Sequence, residues 1–199
     1  VVCGFLHCEA LPFDPILQDL PIMLHVGPQP SAEDGRLMAT VRRTAMEASL
    51  LLPGARNMLP RLTELVFVEI LRKHMQSLPD GQVGWLAASK DAVAGPALKL
   101  LHEAPAAAWS VEALARRVGV SRTVLAGRFR RLLGLPPMRY LAQWRLQRAA
   151  RQLVTGAPSV KSVAHEAGYE SEAAFSRAFK RHFGLPPRDW RRRQALARG

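Results

Sequence analysis

Apolar residues recur along most of this chain at spacings of three and four, the period of a helix with one face turned inward. Leu37, Val41, Ala45 and Ala48 follow Ser31, a residue suited to capping, and predict a helix from Ser31 to about Leu51. Pro53-Gly54 interrupts it. A second helix then runs to about Leu78 and carries Met58, Leu62, Leu65, Val66, Ile70 and Leu71. Its apolar stripe is broader than one neighbour covers, so it must pack against its partner helix, another domain or a second subunit. Residues 31–80 are therefore expected to form a helical linker and dimerisation region, with 31–78 as the homodimer surface. Ahead of it, Val1 to Cys8 reads as a short β-like run, and GPQPS at 27–31 separates residues 1–27 from the helices. Pro79-Asp80-Gly81 ends the second helix, and the stretch from Trp85 to Gly95 reads as a linker.

Beyond that linker the pattern repeats. The segment LARRVGVSRTVLAGRFRRLLGLPPMRYL (Leu114 to Leu141) returns as VAHEAGYESEAAFSRAFKRHFGLPPRDW (Val163 to Trp190), with Glu170 inserted. Ala115 matches Ala164, Gly119 matches Gly168, Ser121 matches Ser171, Phe129 matches Phe179, and GLPP at 134–137 matches GLPP at 184–187. Two copies at a period of about 50 residues indicate a duplicated unit, not a solenoid.

Each copy has the parts of a helix-turn-helix. A short helix ends at a glycine that can adopt the left-handed turn conformation, and a second begins at a capping serine. A small residue four positions before the glycine lets the helices cross closely, and Leu125 or Phe175 fills the angle between them. The first unit is expected at about 111–133 and the second at about 159–183. With Leu125/Phe129 and Phe175/Phe179 inward, the other side of the first recognition helix carries Arg122, Thr123, Ala126, Gly127 and Arg130. The second carries Glu172, Ala173, Ser176, Arg177, Lys180 and Arg181. These are the candidate DNA-facing residues. Arg177 can fork onto guanine, Glu172 can accept from cytosine, and Ser176 can do either. Ala126 and Gly127 permit close approach but few hydrogen bonds. Between the units, Tyr140, Leu141, Trp144, Leu146, Ala149 and Leu153 alternate with Arg139, Arg145, Arg148 and Arg151, predicting an amphipathic linker helix over about 137–155. About 17 of its residues, spanning about 26 Å, suit two recognition helices in successive major grooves of double-stranded DNA.

Charge sharpens this division. Residues 1–109 hold 9 Lys/Arg and 11 Asp/Glu, whereas residues 110–199 hold 19 and 5. A net +14 half, almost all of it Arg, matches a phosphate-covered partner. The acidic half reads as a control region.

Residues 96–195 resemble the DNA-binding domain of the AraC/XylS transcription regulators, which places that domain at 91–199. SVEALARRVGVSR, PPMRYLAQWRLQRAARQL and above all VAHEAGYESEAAFSRAFKRHFGLPPRDWR carry the likeness. CGFLHCEALPFDPILQDLP and GWLAASKD resemble, more weakly, the tail of a cupin-type sensor found in one subgroup. The resemblance implies a mainly α fold: two helix-turn-helix subdomains joined by a long linker helix, preceded by a helical region and a short β remnant of a cupin-like barrel over 1–27. It further implies a bacterial, cytoplasmic regulator that responds to a small-molecule effector and dimerises through its helical region, with RNA polymerase as a further partner.

Other chemistry has less in its favour. Two cysteines, Cys3 and Cys8, exclude a disulfide scaffold and make a reducing compartment the default. Cys3, His7, Cys8, Glu9 and His25 fit no common zinc spacing, and no metal or other cofactor is expected. No apolar run is long enough to cross a membrane. No nucleophile–base constellation is evident, so the chain is not expected to be an enzyme. A DNA-modifying or alkyl-transfer enzyme fused to this kind of domain, and a nonspecific architectural DNA binder, stand as alternatives. Because the chain begins Val1-Val2-Cys3, it is expected to be a fragment or a processed product.

Overall fold

The computed structural model describes residues 19–24, 32–50, 53–79, 81–156 and 159–196; the β-like run Val1–Cys8, the Ser31 cap and the group Cys3, His7, Cys8, Glu9 and His25 lie outside them. The described residues are mainly helical and contain no strand. They divide into two compact units, Leu20–Gly81 in one and Gln82–Gly199 with Asp19 in the other.

In the first unit, α1 (Ala32–Leu50) packs against α2 (Ala55–Ser77) across a turn at Gly54, whose φ of 89° is left-handed. Leu37, Ala55 and Leu62 are buried between them. Met38, Met46, Leu50, Met58, Leu65 and Val68 remain exposed, so the pair does not cover its own apolar surface.

The second unit starts with α3 (Trp85–Lys90) and α4 (Ala94–Glu103), where the sequence predicted a linker as far as Gly95. The linker reading fails because α3 is too short to leave a readable period and α4 carries its own at Ala94, Ala97, Leu98 and Leu101, while side chains hold the helix ends. The Leu86 N–H donates to the Asp19 carboxylate at 2.7 Å, and the N–H groups of Val93 and Ala94 both donate to Asp91 Oδ1. Leu86 and Ala88 are buried, and Ala94, Ala97, Leu98 and Leu101 pack with Ala88 in the first core.

Next come α5 (Val111–Arg117), α6 (Arg122–Leu133), the long α7 (Pro137–Val154), α8 (Val160–Glu166), α9 (Glu172–Phe183) and α10 (Pro187–Leu196). Helix α7 belongs to both subdomains. Tyr140 and Leu141 join the first core with Leu114, Leu125 and Phe129, while Leu146, Ala149, Ala150 and Leu153 join the second with Val163, Phe175 and Phe179. Its middle is thus gripped from both sides and is not a free spacer. Helix α10 is the second copy's counterpart of the start of α7. Pro137 and Pro187 each occupy a first helical position, where a missing N–H costs nothing. Tyr140 and Trp190, equivalent in the repeat, are both buried.

Candidate nucleic-acid interface

The two turns are built alike from the backbone outward. In the first, the N–H of Val120 reaches back to the carbonyl of Ala115 at 3.0 Å and that of Gly119 to Arg116 at 3.2 Å. In the second, Tyr169 bonds Ala164 at 3.0 Å and Gly168 bonds His165 at 2.9 Å. This pair of bonds is the Schellman ending of a helix and needs a left-handed residue, here Gly119 at φ 74° and Gly168 at φ 77°. Ala115 and Ala164 therefore serve twice, as small side chains at the crossing and as acceptors closing the turn. The Ser121 and Ser171 hydroxyls then accept from the N–H of Val124 and Ala174, starting α6 and α9. Leu125, Phe129, Phe175 and Phe179 are wholly buried.

Against these inward residues, Arg122, Thr123, Gly127 and Arg130 are exposed on α6, with Ala126 half-buried. On α9, Ala173, Arg177, Lys180 and Arg181 are exposed, with Glu172 and Ser176 half-buried. At about 100° per residue, Arg177 lies diametrically opposite the Phe175–Phe179 edge, whereas Arg122 and Glu172 lie toward the flank. Both flanking residues are paired. Arg122 Nη1 sits 2.8 Å from Glu112 Oε1 on α5, and this guanidinium bond, with help from the residue's own backbone and Ser110, holds the Glu112 carboxyl down at about 2. Arg188 on α10 sits 3.6 Å from Glu172. Arg188 and Glu112 are thus neighbours of the candidate site that periodicity on α6 and α9 alone does not reveal, because they sit on other helices.

Arg145 is placed differently from the other linker arginines. Sequence periodicity puts it on a polar face, yet it is half-buried, and its Nε donates to the Pro105 carbonyl at 2.7 Å. Burial draws its proton affinity below the usual guanidinium range, opposed by the hydroxyl of Tyr169. That hydroxyl is itself pushed up by burial and drawn back by Arg145 and Arg181. No helix among the described residues is long and apolar enough to cross a membrane.

Residues 114–193 match the family model for a helix-turn-helix domain, and residues 1–76 match that for a cupin, a span that runs through α1 and α2. An AraC-like transcription regulator of Streptomyces lividans is 44% identical over 135 residues, 68% of this chain and 44% of that protein. The transcriptional regulator AlkR of Acinetobacter baylyi is 32% identical over 186 residues, 93% of this chain and 60% of that protein. The chain therefore spans less than half the length of the Streptomyces relative. Among solved structures, an AraC-type regulator from Chromobacterium violaceum is 30% identical with a TM-score of 0.51, covering 55% of this chain and 96% of that one. The DNA-binding domain of AdpA, a global transcriptional factor solved in complex with a target DNA, is 32% identical with a TM-score of 0.51, covering 55% and 97%. With paired helix-turn-helix units of one construction and near-complete coverage of such domains, this chain belongs to the AraC-type family of transcription regulators.

Proposed function

We propose that the chain is a sequence-specific, double-stranded-DNA-binding transcription regulator that lays α6 and α9 in successive major grooves. The observation that carries this reading is the duplication itself: two turns with the same hydrogen bonds, each presenting an exposed helix face, on a half of the chain with net charge +14. A nonspecific architectural binder needs charge but not two capped, aromatic-cored readers. The Streptomyces and Acinetobacter relatives are named as transcription regulators, which supports a regulator over a DNA-modifying or alkyl-transfer enzyme. On this reading the residues facing DNA are Arg122, Thr123, Ala126, Gly127, Arg130, Glu172, Ala173, Ser176, Arg177, Lys180 and Arg181. Arg122 and Glu172 contribute only if DNA draws them from Glu112 and Arg188.

Selection from a random duplex pool tests the proposal. A single motif about two turns long with two separated conserved blocks is the expected result. A pool that stays random while the protein still binds would favour the architectural alternative.

The exposed methionines and leucines of α1 and α2 support self-association through residues 31–78, and the cupin match supports an upstream small-molecule effector. Cytoplasmic action, with RNA polymerase as a protein partner, follows from the regulator reading. Sedimentation of the chain with Met46→Glu and Leu65→Glu checks the dimer: the wild type should sediment as a dimer and the variant as a monomer.

A further inference from the structure

Arg145 sits where the two subdomains meet. It follows the α7 residues that enter the first core and precedes those that enter the second. Its Nε and Nη2 donate to the carbonyls of Pro105 at 2.7 Å and Ala107 at 2.8 Å, both in the connection between α4 and α5 of the first subdomain. Its other side lies against the turn of the second. A Cβ placed on Gly168 would come 3.2 Å from the Arg145 Cζ, 3.3 Å from Nη2 and 3.4 Å from the Ala106 carbonyl. Loop, guanidinium and turn glycine are thus stacked in contact, beside a cleft of about 410 Å³ lined by Glu103, Arg148, Gln152 and Glu166.

The repeat supplies an internal control. Gly119 has the same left-handed turn in the first unit, yet a Cβ there would meet nothing within 4 Å. Both glycines are favoured by φ; only at Gly168 would a Cβ also crowd a neighbour. The second turn therefore carries a contact between subdomains that the turn conformation does not demand.

Helix α7 sets the distance between the readers and packs into both cores, so a swivel of one subdomain about it is opposed by that packing and by any direct tie between the subdomains. One base pair of B-DNA corresponds to about 34° of rotation and about 3.4 Å of rise, so a swivel of that size puts one recognition helix out of phase. A planar fork with two fixed donors resists such a swivel where a single rotatable ammonium does not.

The geometry points to Arg145 as a positioning residue: by clamping the 105–107 carbonyls against the Gly168 turn it fixes the phase between α6 and α9, and so the half-site separation the chain accepts. This rests on the two-groove reading above.

The test uses the full chain with Cys3→Ser and Cys8→Ser, spin-labelled through Thr123→Cys and Ala173→Cys at the exposed starts of the two helices, without DNA. The wild-type background should give a narrow distance distribution, and Arg145→Gln one at least about twice as wide, with Arg145→Lys in between. In parallel, the unlabelled proteins are titrated against the selected duplex and against versions with one or two base pairs inserted between its blocks. Wild type should lose about tenfold or more per inserted pair, whereas Arg145→Gln should bind the best site about tenfold more weakly and lose under about threefold per insertion. Unchanged width with equal weakening at every spacing would reduce Arg145 to a stabilising residue and overturn the proposal. So would a wild-type spacing profile in Arg145→Gln. If Arg145→Gln does not fold, Arg145→Lys, which keeps stem and charge, decides on the same two readouts. A wild type indifferent to spacing, with the label distribution still widened in the variant, would leave the clamp standing and sink the two-groove reading instead.

Discussion

The indole N–H of Trp85 donates to the hydroxyl of Tyr140 at 2.8 Å, joining residues 55 positions apart. The same hydroxyl lies 2.7 Å from His102 Nε2, and the direction of that second hydrogen bond follows the imidazole tautomer. Burial keeps this imidazole neutral near pH 7. It stacks on Trp144 with ring centroids 4.1 Å apart, so four rings from α3, α4 and α7 close one end of the first core. Tyr140→Phe keeps the ring and strands both partners. We expect it to lower unfolding free energy by about 1–3 kcal/mol. Urea unfolding followed by circular dichroism measures this, and a loss under about 0.5 kcal/mol would show the hydroxyl to be idle.

The same network predicts a pH dependence. Burial first, and then the charge of Arg148, lower His102 from its ordinary 6.5 to about 4. The unfolded chain takes up this proton near 6.5 while the folded one resists until about 4, so the unfolded state is favoured as pH falls between those values. The contribution is complete above about 6.5 and lost toward 4. His182, also lowered by burial, acts in the same direction. Because the His102 ring is partly open to solvent, the expected loss is about 1–2 kcal/mol, less than the shift alone implies. Stability measured from pH 7 to 4.5 should fall in wild type and fall less in His102→Gln; identical slopes would refute the assignment.

What was legible beforehand divides by how local its cause is. The capping serines, turn glycines and buried Leu125, Phe129, Phe175 and Phe179 each answer to neighbours within a turn or two of helix, so spacing and residue type suffice. Helix α3 and Arg145 do not. The first is held by Asp19 and by Tyr140, the second by carbonyls about 40 positions back, and neither leaves a periodic trace. A residue read as part of a solvated stripe can thus be the one that ties two subdomains together. The candidate DNA-facing residues were legible as a face, because the buried aromatics define its opposite. Arg122 and Glu172 turned out to be engaged by other helices, which only tertiary structure reveals.

Gly168→Val should be the more damaging of two equivalent substitutions. Val at either turn glycine forces a β-branched residue to positive φ, costing roughly 1–3 kcal/mol. At Gly168 the added carbons also meet Arg145, whereas at Gly119 they meet open space. We expect Gly168→Val to retain most helix content and lose specific DNA binding, and Gly119→Val to retain more of it. Equal affinities of the two variants would show that the contact with Arg145 does not matter to binding.

Binding should be strongly salt-dependent. If the +14 half neutralises about 6–8 phosphates, log K against log salt should slope at about −5 to −7 for duplex DNA. Fluorescence anisotropy at four or five salt concentrations gives the slope. A value shallower than about −2 would place the basic surface away from the DNA.

The last prediction separates base reading from phosphate contact on α9. Arg177 is exposed and points directly away from the buried Phe175–Phe179 edge, with Ala173 one turn before it on the same side. Small residues there let the helix sit deep enough for the guanidinium fork to span the O6 and N7 of a guanine. Arg181 is exposed one turn later, near the end of the helix at Gly184, and we expect it to meet a phosphate there. Arg177→Ala should therefore cost about 1–3 kcal/mol at the selected site and flatten preference at one base pair. Arg181→Ala should weaken all sequences about equally and reduce the salt slope by about 1. Titrating both variants against the selected site and each single-base change distinguishes them. If Arg177→Ala weakens every sequence alike while Arg181→Ala alters preference, α9 enters the groove rotated from the orientation its buried face implies.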